Sequence, residues 1–192
     1  FKFPFGMLEE PDIEFLFFKK ELFQNLQTLV IDEVSMVSAD MMNAIDLSLR
    51  KNTGNKNLPF GGVQVIMFGD LYQLPPVVTS SEDRDYLRET YGGVYFFNAP
   101  VFKEIQLKKI NLTKIFRQKN DKTFVNLLNN VREKKITTAD LLSLNQRVKE
   151  YTRKRDPAIV LASTNNIVDA INKKKLEEIK DKEYSFDFEV TG

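Results

Sequence analysis

The chain contains no cysteine and no histidine. Disulfides, thiolate nucleophiles, imidazole general bases and the ordinary zinc sites are therefore excluded, and any chemistry must run on carboxylates, lysine, arginine, hydroxyls, amides or a bound metal. Also missing is an apolar run approaching the roughly 20 residues needed to cross a bilayer. No secretory signal pattern opens the chain. These absences point to a soluble, intracellular protein with no membrane partner: cytoplasmic in a bacterium, nuclear or mitochondrial in a eukaryote.

What is present is ordinary globular material: 192 residues, 42% hydrophobic and 29% charged, enough for a sizeable core. The net charge of +1 hides an asymmetry, because residues 1–96 carry 8 Lys and Arg against 14 Asp and Glu, whereas residues 97–192 carry 20 against 13. Two units are expected, the second better suited to polyanions, with a soft boundary near 108–118. The opening FKFPFG, led by Phe1 rather than Met, reads as the middle of a longer sequence.

Hydrophobic patterning gives an α/β chain. Leu29-Val30-Ile31 is short, β-branched and uniformly apolar, the habit of a parallel strand buried on both faces, and Val63–Phe68, apolar but for Gln64, is a second buried-strand candidate. Between them Ser38 can cap a helix that presents Met41, Ala44, Ile45, Ser48 and Leu49 on one face, and residues 52–62 form a loop rich in turn formers. A βαβ unit follows. Residues 12–27 read as a helix leading into the first strand, and 79–93 as a surface excursion after Pro75-Pro76. Further strands are predicted at 109–112, 158–162 and 184–190, with helices over 122–134, 138–149 and 166–180.

The first strand ends in Asp32-Glu33. At the carboxyl edge of a parallel sheet, where ligands collect, such a pair suits a nucleoside triphosphatase: Asp32 to hold Mg²⁺ and Glu33 to deprotonate the attacking water, a carboxylate task in a chain without histidine. A solvated turn has the same composition. The second strand also ends in a compact polar string, Gly69-Asp70-Leu71-Tyr72-Gln73-Leu74-Pro75-Pro76-Val77. If the strands are neighbours, the Gln73 amide reaches the same edge and can bond a terminal phosphate or the attacking water; a loop glutamine fixed by prolines is the plainer reading. Arg117, in Phe116-Arg117-Gln118, could offer a planar fork to a phosphate or stand as a surface arginine.

Taken together, LVIDEVSMVSADMMNAID, PFGGVQVIMFGDLYQLPPVV, INLTKIFRQKNDKTFVNLLNNVRE and IVLASTNNIVDAINKKKLEEI resemble, in order and spacing, the RecD-like and PIF-type DNA helicases of superfamily 1. The resemblance covers about residues 26–180, and the pairing of DEVSM with GDLYQLPPV is specific. It implies a RecA-like P-loop NTPase fold, here an incomplete parallel sheet with flanking helices over 1–112 and the start of a second RecA-like domain over 113–192. It also implies ATP and Mg²⁺ as cofactors, single-stranded and duplex DNA as partners, and ATP-driven translocation and unwinding as the activity. Asp32 then falls on the metal position, Glu33 on the water-activating base, Gln73 on the nucleotide-state sensor and Arg117 on a γ-phosphate contact. Ser163–Asn166 resembles a stretch near DNA or the domain cleft, so Asn165, with Tyr72 and the basic Lys173 and Lys174, becomes a candidate DNA contact. Arg153–Arg155 is the other dense basic cluster; either cluster equally reads as a solvated surface.

The departures matter. The family's phosphate cradle, G-x-x-x-x-G-K-[ST], does not occur, since none of the 8 glycines is followed by lysine. The late helicase motifs are also absent. The expectation is therefore a helicase segment whose Walker A loop lies upstream of Phe1 and which alone hydrolyses ATP poorly or not at all. The competing expectations are another triphosphatase with an Asp-Glu strand end, and a non-catalytic remnant that binds DNA or a partner.

Overall fold

In a computed structural model, residues 1, 3, 6–9, 19–114, 116, 121–148, 159–181 and 184 are described. They fall into two units, Phe1–Asn145 and Gln146–Gly192.

The first unit is built around one βαβ crossover. A short helix α1 (Lys20–Gln24) precedes strand β1 (Thr28–Ile31), helix α2 (Ala39–Thr53) follows, and β2 (Gln64–Met67) returns beside β1. The strands are parallel, in a register that pairs Thr28 with Gln64 and Ile31 with Met67. α2 forms because its apolar positions recur every three to four residues. Met42, Ala44, Ile45 and Leu49 are buried along it, and Gly54, at φ 83°, ends it in the left-handed region. Ser38 occupies the N-cap position as expected, although its side chain makes no capping bond.

The core joins this α2 face to Phe23, Val34, Phe60, Val63, Phe96, Ala99 and Val101, with Leu29, Ile31, Val65 and Met67 packed on it from the sheet. Two polar groups brace it from inside. The Asp46 carboxylate accepts Arg50 Nε at 2.9 Å and the Phe60 amide, and Arg50 also reaches Glu104 at 2.9 Å. Asp40 accepts the Leu8 amide at 3.0 Å.

Beyond β2, helix α3 (Ser81–Tyr91) is followed by short 3₁₀ turns at Phe96–Asn98 and Pro100–Lys103, then α4 (Lys122–Arg132) and α5 (Thr138–Asn145). The second unit contributes α6 (Asn165–Glu177).

Four expectations need correction. The strands are covered on one face only: Val30 is 57% exposed and Ile66 37%, because α2 and its partners pack on the side of Leu29, Ile31, Val65 and Met67 and no described element covers the other. The 79–93 surface excursion contains helix α3, whose Ser80 hydroxyl accepts the Asp83 amide at 2.9 Å and whose Leu87 is fully buried. No strand forms at 109–112, where Ile110 and Leu112 are exposed, nor at 159–162, where Ile159 and Leu161 are more than 89% exposed; neither segment has a neighbouring strand to supply its hydrogen bonds among the described residues. α5 stops at Asn145, short of Lys149, and Val148 is exposed. Tyr184 is exposed, and the remainder of the 184–190 alternation, like most of 12–19 and Ala158, lies outside the described residues.

Candidate nucleotide site

The polar ends of the two strands meet because backbone hydrogen bonds continue past the ladder. Phe68 N donates to Ile31 O at 2.8 Å, and Val34 N donates back to Phe68 O at 2.8 Å. Asp32 and Glu33 lie between those two links, so the turn carrying them is tied directly to the end of β2. The closeness dictates a glycine next. A β-carbon on Gly69 would stand 2.9 Å from Val34 Cγ1 and 3.1 Å from Val34 N.

Within the turn, Glu33 takes a left-handed backbone conformation, φ 49° and ψ 42°, and its amide donates to Asp32 Oδ1 at 2.9 Å. A non-glycine residue held there costs on the order of 1 kcal/mol and occurs where the surroundings over-determine it, often at functional sites. Both side chains are exposed. The geometry therefore presents two adjacent carboxylates at the carboxyl edge of a parallel sheet, one with an oxygen occupied by backbone.

Among the described residues no group of three His, Cys, Asp or Glu gathers that could cage a metal. One exposed carboxylate is nevertheless what Mg²⁺ requires when phosphates and water supply most of its oxygens, and Asp32 fits that demand.

The facing loop is organised by Asp70. Its Oδ1 accepts Tyr72 N at 3.0 Å, its Oδ2 accepts Gln73 Nε2 at 3.2 Å, and its carbonyl accepts Gln73 N at 3.0 Å. Arg132, at the end of α4, approaches the same Oδ2 at 3.4 Å and sets its guanidinium carbon 5.4 Å from the Tyr72 ring centroid. Burial pushes the Asp70 carboxyl up, but these donors and the Arg132 charge outweigh it and hold the group below its ordinary value.

The sequence-predicted residues are thus unequally placed. Asp32 and Glu33 stand on one turn, and Gln73 on the loop that leaves the adjacent strand, its carboxamide engaged with Asp70. Tyr72 is exposed on the same loop as Gln73, one side of its ring met by Arg132. Asn165, Lys173 and Lys174 lie on α6 of the second unit, exposed. Arg117 and the 153–155 basic cluster lie outside the described residues. The roles of Asp70 and Arg132 escaped the sequence reading. Asp70 was visible inside the GDLYQ string, whereas nothing in the sequence links it to a residue 62 positions away.

Comparison with known proteins agrees with this architecture. Residues 12–141 match the profile described as PIF1-like helicase. The ATP-dependent DNA helicase PIF1 of Candida albicans is 35% identical over 160 residues, covering 80% of this chain and 17% of the relative. The human ATP-dependent DNA helicase PIF1 is 32% identical over 165 residues, covering 85% and 24%. The crystal structure of a Bacteroides Pif1 helicase in complex with ADP-AlF3 and ssDNA superposes with a TM-score of 0.80 at 40% identity, over 93% of this chain and 42% of that one. A structure of Pif1 helicases at forked dsDNA gives 0.79 at 42% identity, over 90% and 41%. The chain thus spans less than half the length of each of these proteins. The two parallel strands and their helices are an incomplete RecA-like α/β fold.

Proposed function

The chain belongs to the PIF1-like helicase family, and from that premise we propose that it is the part of an ATP-dependent DNA helicase that carries the hydrolytic carboxylates. The observation that supports this most is the backbone tie from Val34 to Phe68, which holds the Asp32-Glu33 turn against the start of the Gly69–Gln73 loop. In this reading the nucleotide is ATP. Asp32 is the protein ligand to Mg²⁺, an ion that supplies charge neutralisation for the phosphates when bound. Glu33 accepts the proton of the attacking water, and its exposed carboxylate leaves room for that water. Gln73 gives up its bond to Asp70 to sense the terminal phosphate, and Arg117 offers its guanidinium to the same group.

The cradle for the β- and γ-phosphates is assigned to a G-x-x-x-x-G-K-[ST] loop elsewhere in the helicase polypeptide, since that motif does not occur in this sequence. The functional division is placed at 112/113, residues 1–112 giving part of the first RecA-like domain and 113–192 part of the second. Single-stranded and duplex DNA are the partners, acting inside the cell. Lys173 and Lys174 would neutralise phosphates without sequence preference, and Tyr72 and Asn165 are the further contacts.

The test is Glu33→Gln in the complete helicase. Removing one proton acceptor while keeping shape and metal site should leave ATP binding within a few-fold and lower DNA-stimulated hydrolysis by about 10²- to 10⁴-fold. Turnover near wild type would overturn the assignment.

A further inference from the structure

Arg132 closes α4, and its guanidinium crosses 62 residues of sequence to reach Asp70. The carboxylate oxygen it approaches at 3.4 Å is the one that already accepts the Gln73 carboxamide at 3.2 Å. One oxygen therefore serves two donors, and neither bond is at the roughly 2.8 Å that a charge-assisted contact attains when unshared. The neighbouring carboxylate, Glu133, is held by Lys135 at 2.7 Å and stands 3.8 Å from Arg132, so Asp70 is the nearer acidic partner of the guanidinium. Both residues lie in the first unit, Phe1–Asn145, where the pair ties the end of α4 to the loop that follows β2.

We propose that Arg132 is a positioning residue for Gln73, and that Asp70 is the exchange point through which nucleotide occupancy reaches α4. When Gln73 turns toward a terminal phosphate, Oδ2 loses one donor and Arg132 closes on it, drawing the end of α4 toward the loop. When the phosphate leaves, Gln73 returns and the ion pair loosens. Tyr72, with its amide on Asp70 Oδ1 and its ring beside the guanidinium, keeps the loop in register through the exchange. The two states differ in a named contact at each end, which is what a coupling between sites requires.

The inference rests on the helicase reading, and its test separates the two. ATP hydrolysis in the presence of single-stranded DNA is measured on the complete helicase carrying Gln73→Ala, Arg132→Ala, Arg132→Lys and the double alanine change. Arg132→Ala should lower kcat about 5- to 10-fold with KM for ATP moved less than about twofold, and Arg132→Lys should recover most of the loss. Because Arg132 acts through Gln73, the double variant should be no slower than Gln73→Ala alone. Multiplying losses, or wild-type kcat in Arg132→Ala beside a slow Gln73→Ala, would overturn the role of Arg132 alone. Wild-type turnover in Gln73→Ala would overturn the sensor assignment and this inference with it. If Arg132→Ala does not fold, Arg132→Gln against Arg132→Lys decides on the same terms: equal kcat in the two refutes the role of the charge, and a slower glutamine variant supports it.

Discussion

Gly69→Ala probes the joint on which the site depends. The added methyl would sit 2.9 Å from Val34 Cγ1, 3.1 Å from Val34 N and 3.2 Å from Ser35 N, all short of the 3.4 Å at which ordinary contact begins. Val34 is buried and β-branched, so its methyl has little freedom to rotate away, and the other two atoms are backbone. The Asp-Glu turn must therefore retreat from the loop by about half an ångström, an overpacking that costs about 1–3 kcal/mol. That retreat acts on the 2.8 Å bond from Val34 N to Phe68 O and carries Glu33 with it. Since a misplacement of about 1 Å is worth about 100-fold in rate, hydrolysis by the complete helicase should fall about tenfold.

Gly54→Ala is the control. Its φ of 83° makes the change unfavourable, by about 1 kcal/mol, but nothing lies within 4 Å of the new methyl and the site is untouched. Urea denaturation reads both stabilities, and a coupled ATPase assay reads both rates. If Gly69→Ala proves as stable and as active as the parent, or if both glycine variants lose activity equally, the argument from close approach is wrong.

Two further perturbations test the frame around the site. Asp46→Ala leaves the Phe60 amide without its acceptor and Arg50 with Glu104 and the Lys56 carbonyl, and should destabilise the first unit by about 3 kcal/mol in urea denaturation; a loss under about 1 kcal/mol would show that the buried bonds are replaced by water. The lowered pKa of Asp70 means that its contribution to stability is fully present above the ordinary value of 3.8 and is lost as pH falls through the still lower native value. Asp70→Asn should therefore flatten the dependence of the urea midpoint on pH below about 4 and leave the slope near neutrality unchanged; parallel curves for the two proteins would refute the attribution.

The βαβ unit and α2 were legible because two largely apolar runs and one helical stripe are strong local patterns, and they sit within a residue or two of where the sequence puts them. The failures have physical causes. Helix α3 is strongly polar, so periodicity missed it, although Ser80 with Glu82-Asp83 at one end and Gly92-Gly93 at the other are ordinary start and stop signals. The strands expected at 109–112 and 158–162 carry the right composition, but a strand needs a partner, which composition does not supply. At the site, Asp32, Glu33 and Gln73 could be named as candidates because DEVSM and GDLYQLPPV together resemble a helicase pattern. Arg132 could not, because an ion pair between the end of a helix and a distant loop leaves no periodic or local trace.

The most direct test of the account is a crystal structure of the complete helicase with Mg²⁺ and ADP-AlF3. The account expects the Glu33 carboxylate at about 2.6–3.2 Å from a water facing the fluoride group, and the Gln73 carboxamide turned from Asp70 onto that group. A nucleotide bound away from the Asp32-Glu33 turn, with Gln73 still on Asp70, would contradict it.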